Sequence, residues 1–258
     1  MVGRMKNNKK LIGLMLSMIS AVVHANLGAV HSEASGDPGL NTFIEENNLP
    51  QPGSGIQIVP FAETSFAKEK NSRKIFEAER KLDYIKKKSD SAVFLLKVKN
   101  DKYYPGTKKI FETNTDPYDS HLKASLSQIK LAFPFTGISF IEKANIIGYA
   151  VAGSWKNGWT GVVERFNDNA IGICDYLRHN ARLSHSAVRL VKENVIYAVN
   201  QKPTTVSVEG QEPDGFSYKV DWYDNEFYHT LTCANTYFSK EIKTNAIALA
   251  KRIDSDVQ

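Results

Sequence analysis

The stretch from Gly215 to Ala234 constrains this chain more than any other, because apolar and polar residues alternate on both sides of Asp224-Asn225. Alternation with a period of two fits a half-buried strand, and a short polar break between two such runs predicts a hairpin. With Asp224-Asn225 as a two-residue turn, Trp222 pairs with Phe227, Val220 with His229, Tyr218 with Leu231 and Phe216 with Cys233. All eight then share one face. Ser217, Lys219, Asp221, Glu226, Thr230 and Thr232 take the other, where Tyr223 and Tyr228 are the aromatic exceptions. A one-residue slip would expose the whole apolar set, so the face of each side chain is well specified.

Similar patterns precede this hairpin. Asn145 to Trp155 and Trp159 to Phe166 flank Lys156-Asn157-Gly158, a second hairpin signal in which glycine is expected to supply the positive φ and Trp155 to face Trp159. Ile171 to Asn180, Val188 to Val199 and Thr204 to Glu209 read as further strands, and Val93 to Val98 as an edge strand. Three helices are predicted. The first covers 63–88, with an irregular stripe of Phe66, Ile75, Leu82 and Ile85. The second starts at Asp116-Pro117, carries Leu122, Leu126, Ile129 and Phe133, and stops before Pro134. The third follows Asn235, where Phe238, Ile242, Ala246, Leu249 and Ile253 recur every three or four residues and predict a lid on the sheet. The fold class is therefore α+β: an antiparallel sheet of five to seven strands flanked by about three helices, one of them a C-terminal amphipathic helix.

The N-terminus bears on where such a fold would operate. Arg4, Lys6, Lys9 and Lys10 precede an apolar run from Leu11 to Val23, and Val23-His24-Ala25 places small residues before a cut between Ala25 and Asn26. These are the three parts of a secretory signal peptide. As a helix the apolar run would reach only about 20 Å, short of the roughly 30 Å hydrocarbon core, so a membrane anchor is disfavoured. The domain reading is 1–25 signal peptide, 26–61 a flexible arm with four prolines and five glycines before Phe61, and 62–258 one globular domain. Within the arm, Leu49 to Pro52 and Ile56 to Phe61 are candidates for strand addition to a partner.

Signal removal also changes the charge argument. The formal net charge is +5, the first 25 residues hold four basic and no acidic groups, and so the mature chain carries +1. General nucleic-acid binding is excluded on that balance, and Lys86-Lys87-Lys88 and Lys108-Lys109 read as solvated ends or turns. In an oxidising compartment Cys174 and Cys233 are expected to form a disulfide, worth roughly 4 kcal/mol on the chain-entropy model. His229 and Cys233 lie four residues apart on a strand, about 13 Å, which is too far for a thiolate and its base.

Catalytic motifs are missing from the sequence: there is no G-x-S-x-G, no G-K-[ST], no H-E-x-x-H and no C-x-x-C. A partial calcium-loop match at Asn167 fails because Ile171 and Arg178 stand where oxygen ligands are needed. His179 and His185, with Asp175 or Glu164, are the remaining candidates for a metal or acid–base site, and His229 reads as a satisfied core-edge histidine. Trp155, Trp159, Tyr223 and Tyr228 near hairpin tips form a candidate aromatic binding surface. No metal and no cofactor is expected. The leading expectation is a periplasmic or secreted protein of a bacterial envelope, leaning non-enzymatic, that acts with protein partners as a binding or structural subunit of a larger assembly such as a secretion complex. The alternatives are a hydrolase whose site forms only in three dimensions, and a cell-wall or glycan binder.

Overall fold

In the computed structural model, residues 56–98 and 125–257 are described. The chain enters through strand β1 (Ile56–Val59), two 3-10 turns over Phe61–Glu63 and Ser65–Lys68, and helix α1 (Ser72–Glu79). Strand β2 (Ile85–Lys86) and helix α2 (Asp90–Val98) follow. Strands then dominate: β3 (Ile146–Trp155), β4 (Trp159–Asp168), β5 (Gly172–Asn180), one helical turn α3 (Ala181–Ser184), β6 (Val188–Val191), β7 (Tyr197–Val199), β8 (Lys202–Gln211), β9 (Gly215–Tyr223) and β10 (Phe227–Asn235). Helix α4 (Lys240–Asp256) ends the described chain.

Among the described residues, eight strands join in one sheet, in the order β2-β8-β9-β10-β5-β4-β3, with β7 also paired to β8. Every pairing in it is antiparallel except β2 with β8. The α+β class and the C-terminal helix are as expected from sequence, and the sheet is one strand larger. On one face, Phe216, Tyr218, Val220 and Trp222 pack with Leu231, Cys233 and Tyr176 beneath α4, whose Ile242, Ala246, Leu249, Ala250 and Ile253 are buried. The Ser239 hydroxyl caps that helix by accepting the Glu241 and Ile242 N–H. The opposite face is covered by α2 at one end, through Ala92 and Leu95 on Ile173 and Ala234. At its other end Val188 and Leu190 of β6 cover Tyr223 and Tyr228.

The final hairpin keeps its predicted faces but shifts its pairing. Trp222 stands opposite His229, Val220 opposite Leu231, and Tyr218 opposite Cys233, two residues from the expected register. The cause is Asp224, whose Oδ1 accepts the N–H of Glu226 and Phe227 and builds a wider loop than a two-residue turn. A shift of two preserves parity, so the apolar set stays inside. On the neighbouring strand Cys174 lies opposite Cys233, and the two form a disulfide between β5 and β10.

Several local expectations need correction. Val93 to Val98 is helical rather than a strand, because the Ser89 hydroxyl accepts the Ala92 N–H at the helix start and Ala92 and Leu95 bury one face of α2. The helix predicted over 63–88 is only α1, interrupted by Asn71 at φ 67° and followed by β2. The second helix is a single 3-10 turn at Leu126–Gln128 over its described part, and its start at Asp116-Pro117 lies outside the described residues. Val188 to Val199 is two strands separated by a turn at Lys192–Asn194. Ile56–Val59, assigned to the arm, pairs in parallel with β6 of the same chain. The signal segment, with Ala25 and Asn26, and the arm up to residue 55 lie outside the described residues.

Trp155 and Trp159 do stand opposite each other at the β3–β4 tip, edge to face at 5.6 Å. Their loop uses glycine differently from the expectation, since Asn157 takes the positive φ of 58°. Gly158 is required by close approach: a Cβ there would lie 2.5 Å from the Leu131 carbonyl carbon. The crossing segment is held to Trp159 by two backbone bonds, Trp159 N–H to Lys130 O and Ala132 N–H to Trp159 O. Gly158→Ala should therefore push 130–132 off the hairpin and cost about 2 kcal/mol, read by urea unfolding. A change under about 0.5 kcal/mol would contradict this packing.

Candidate functional site

The buried polar side chains under α4 form one connected set. Asp254 of α4 is fully buried, and its Oδ1 accepts the Trp222 indole N–H at 2.8 Å and the Lys202 ammonium at 2.6 Å. Asn200 donates to Asp254 Oδ2 at 3.0 Å. Lys202 also lies 3.5 Å from Asp224, which continues the set into the sheet. There Asp224 Oδ2 is 3.3 Å from His229 Nε2, and His229 Nδ1 is 2.8 Å from the Tyr176 hydroxyl.

Charge fixes the direction of these bonds. Burial holds the His229 imidazolium form down, against the pull of Asp224. Burial would raise the Asp224 carboxyl, yet the bonds from His229 and from the Phe227 and Glu226 N–H hold it below the usual carboxylate range. A neutral His229 thus donates through Nε2 to Asp224 and accepts the Tyr176 proton at Nδ1. Carboxylate, imidazole and hydroxyl in series is an order that can activate a nucleophile. Here it is enclosed: Tyr176 is fully buried, and the rings of Tyr176, His229 and Trp222 stack within 12° of parallel.

A second buried carboxyl lies at the other side of the same face. Glu164 shares its parity with Val162 and Phe166, all three are fully buried, and Glu164 Oε2 accepts the Ile138 N–H at 2.9 Å. Tyr149 donates to its Oε1 at 3.2 Å. Burial raises the Glu164 carboxyl to about 7, the Ile138 and Tyr149 bonds oppose the rise, and Asp256 adds to it. The next residue of the crossing strap, Ser139, donates its N–H to Asp256 at the end of α4 at 2.6 Å, and its hydroxyl also donates to that carboxylate. Two carboxylates therefore hold consecutive residues of one strap, one from the sheet and one from the helix. A glutamate at an inward position of an apolar strand was the sequence signal for this group.

The structure separates the remaining candidates. His179 is buried and bonded through Nδ1 to the Tyr228 hydroxyl, with Thr160 Oγ1 3.2 Å from Nε2. His185 is exposed at the end of α3, with φ 53°. Glu164 stands opposite Tyr176 while His179 stands opposite Gly161, so these two point to opposite faces of the sheet. Asp175 is taken up by Arg165 in a two-pronged ion pair at 2.7 Å. The aromatic surface is likewise not assembled: Trp159, Tyr223 and Tyr228 are buried, and only Trp155 keeps partial exposure. Trp159 packs beneath Ile129 and Phe133, and the two tyrosines beneath Val188 and Leu190.

Among the described residues, no three His, Cys, Asp or Glu side chains are placed to hold a metal ion, and no helix is long and apolar enough to cross a membrane. One small apolar cleft of about 30 Å³ opens between Phe61, Phe66, Phe76 and Val191, with Ser72 and Glu79 at its wall. Comparison with protein-family models, with curated proteins and with solved structures gave no match.

What does face outward is an edge. Among the described residues, strand β3 is the last strand of the sheet and pairs only with β4. Its ten residues contain no charged side chain and no proline. Natural edges are normally blunted by charge, proline, shortness or β-bulges, because their unpaired N–H and C=O groups recruit other strands; β3 has irregular register near both ends, and Gly148 to Ala152 between them has none of these devices. The opposite side of the sheet ends in the two-residue β2, which carries Lys86.

Proposed function

We propose that this chain is an exported, non-enzymatic binding or structural subunit of a larger envelope assembly, in which it engages a protein partner along β3. The observation that carries the reading is the uncharged edge of β3, whose unbroken stretch from Gly148 to Ala152 reaches about 16 Å at roughly 3.3 Å per residue, enough to template a short partner strand. Two further features support it. The N-terminal pattern of basic residues, apolar core and small residues before Ala25 is that of a secretory leader, and a disulfide suits an oxidising compartment. Among the described residues, the histidines and carboxylates that a hydrolase would draw on are engaged in internal bonds or kept apart.

The test is the native particle. Gentle detergent extraction of whole envelopes, followed by sizing and identification of co-purifying chains, should give a large species of fixed composition. A particle of one mature chain alone would contradict the subunit reading.

A further inference from the structure

We infer that the partner of β3 is a second copy of this chain: two protomers pair β3 with β3, antiparallel about a twofold axis normal to the sheet. This inference rests on the reading of β3 as the working edge. It would join two eight-stranded sheets into one continuous sheet across the dimer.

Three observations favour a copy. First, a twofold pairing brings the residues at its centre opposite their own copies or those of near neighbours, so a charge there would meet its own sign. Ile146–Trp155 carries none. Second, the sizes interlock. With Ala150 on the axis, Gly148 meets Ala152 and Tyr149 meets Val151; with Val151 on the axis, Ala150 meets Ala152 and Tyr149 meets Gly153. In neither register do two large rings collide.

Third, the usable length is set by the strand itself. The register with β4 is irregular between Ile146 and Gly148 and between Ala152 and Trp155, which leaves Gly148 to Ala152 in unbroken pairing. That stretch is centred on Ala150, so a symmetric partner can pair with all of it. Its residues are half-buried apart from Val151, which packs inward on Val162.

The test uses the mature, disulfide-bonded protein in analytical ultracentrifugation from nanomolar to high micromolar concentration. Wild type should sediment at twice the chain mass. Ala150→Lys puts like charges together at the axis and should weaken the dimer at least 100-fold. Because a lysine also changes the edge of the single protomer, Ala150→Cys with a short bifunctional maleimide gives an independent readout, and a covalent dimer is expected. A monomer at every concentration, or a dimer indifferent to the lysine with no crosslink, would overturn the inference. Slow hydrogen exchange along β3 in such a monomer would show that the chain covers its own edge, which also overturns the inference. If Ala150→Cys instead captures a different envelope protein, the copy is wrong and the subunit reading stands. If nothing is captured and the native particle is a single chain, both fall.

Discussion

Replacing Glu164 with glutamine should make this protein more stable at about pH 8, by about 3 kcal/mol, and should flatten its stability between pH 4.5 and 8. The wild-type carboxyl titrates near 7 in the fold against 4.5 in the unfolded chain. A raised carboxyl favours the fold when protonated, so its contribution is fully present below 4.5 and is lost as pH rises through about 7. Each pH unit of that difference is worth about 1.4 kcal/mol. Glutamine imitates the protonated acid: its carbonyl can keep the Ile138 N–H, and its amide needs no counter-charge. The comparison must be made between the two proteins at each pH, because the lowered Asp224 carboxyl works in the opposite direction in both. Urea unfolding at about pH 4.5, 6, 7 and 8 measures it. Parallel curves for the two proteins would show that the carboxyl is hydrated in solution.

Loss of the disulfide should have the largest effect on stability. Cys174 and Cys233 are 59 residues apart, and both are fully buried where β5 meets β10. The chain-entropy model gives a loop of that size about 4 kcal/mol. In a domain of this size that corresponds to a fall in Tm of about 10 °C. The double variant Cys174→Ala, Cys233→Ala leaves no unpaired hydroxyl in the core, so its unfolding free energy reports the cross-link with the cost of two small cavities. A loss under about 1 kcal/mol would mean that the unfolded chain is already compact across this loop.

Much of the sheet was legible because its signal is local. Alternation along 216–233 fixed which side chains face inward, and that survived a two-residue change in pairing. Loop details were less legible. Asp224 gives its carboxylate to two backbone N–H groups, and a single glycine in Lys156-Asn157-Gly158 could serve either φ or close packing. The short elements around 63–98 were misread because irregular apolar spacing fits several structures, and the α2 start at Ser89 outweighs the β-branched character of Val93 and Val98. The candidate site was least legible. Glu164 reads as one polar residue in an apolar run until its parity with Val162 and Phe166 is applied. The open edge of β3 depends on strand order, which no local pattern encodes.

The most direct measurement is site-specific photo-crosslinking in intact cells, with the reactive group at position 150 on β3 and, as a control, at position 243 on α4. The account predicts one discrete crosslinked species from 150, at the mass of a dimer, and none from 243. Equal diffuse labelling from both positions, or no product from 150, would contradict the claim that this protein works through the edge of its sheet.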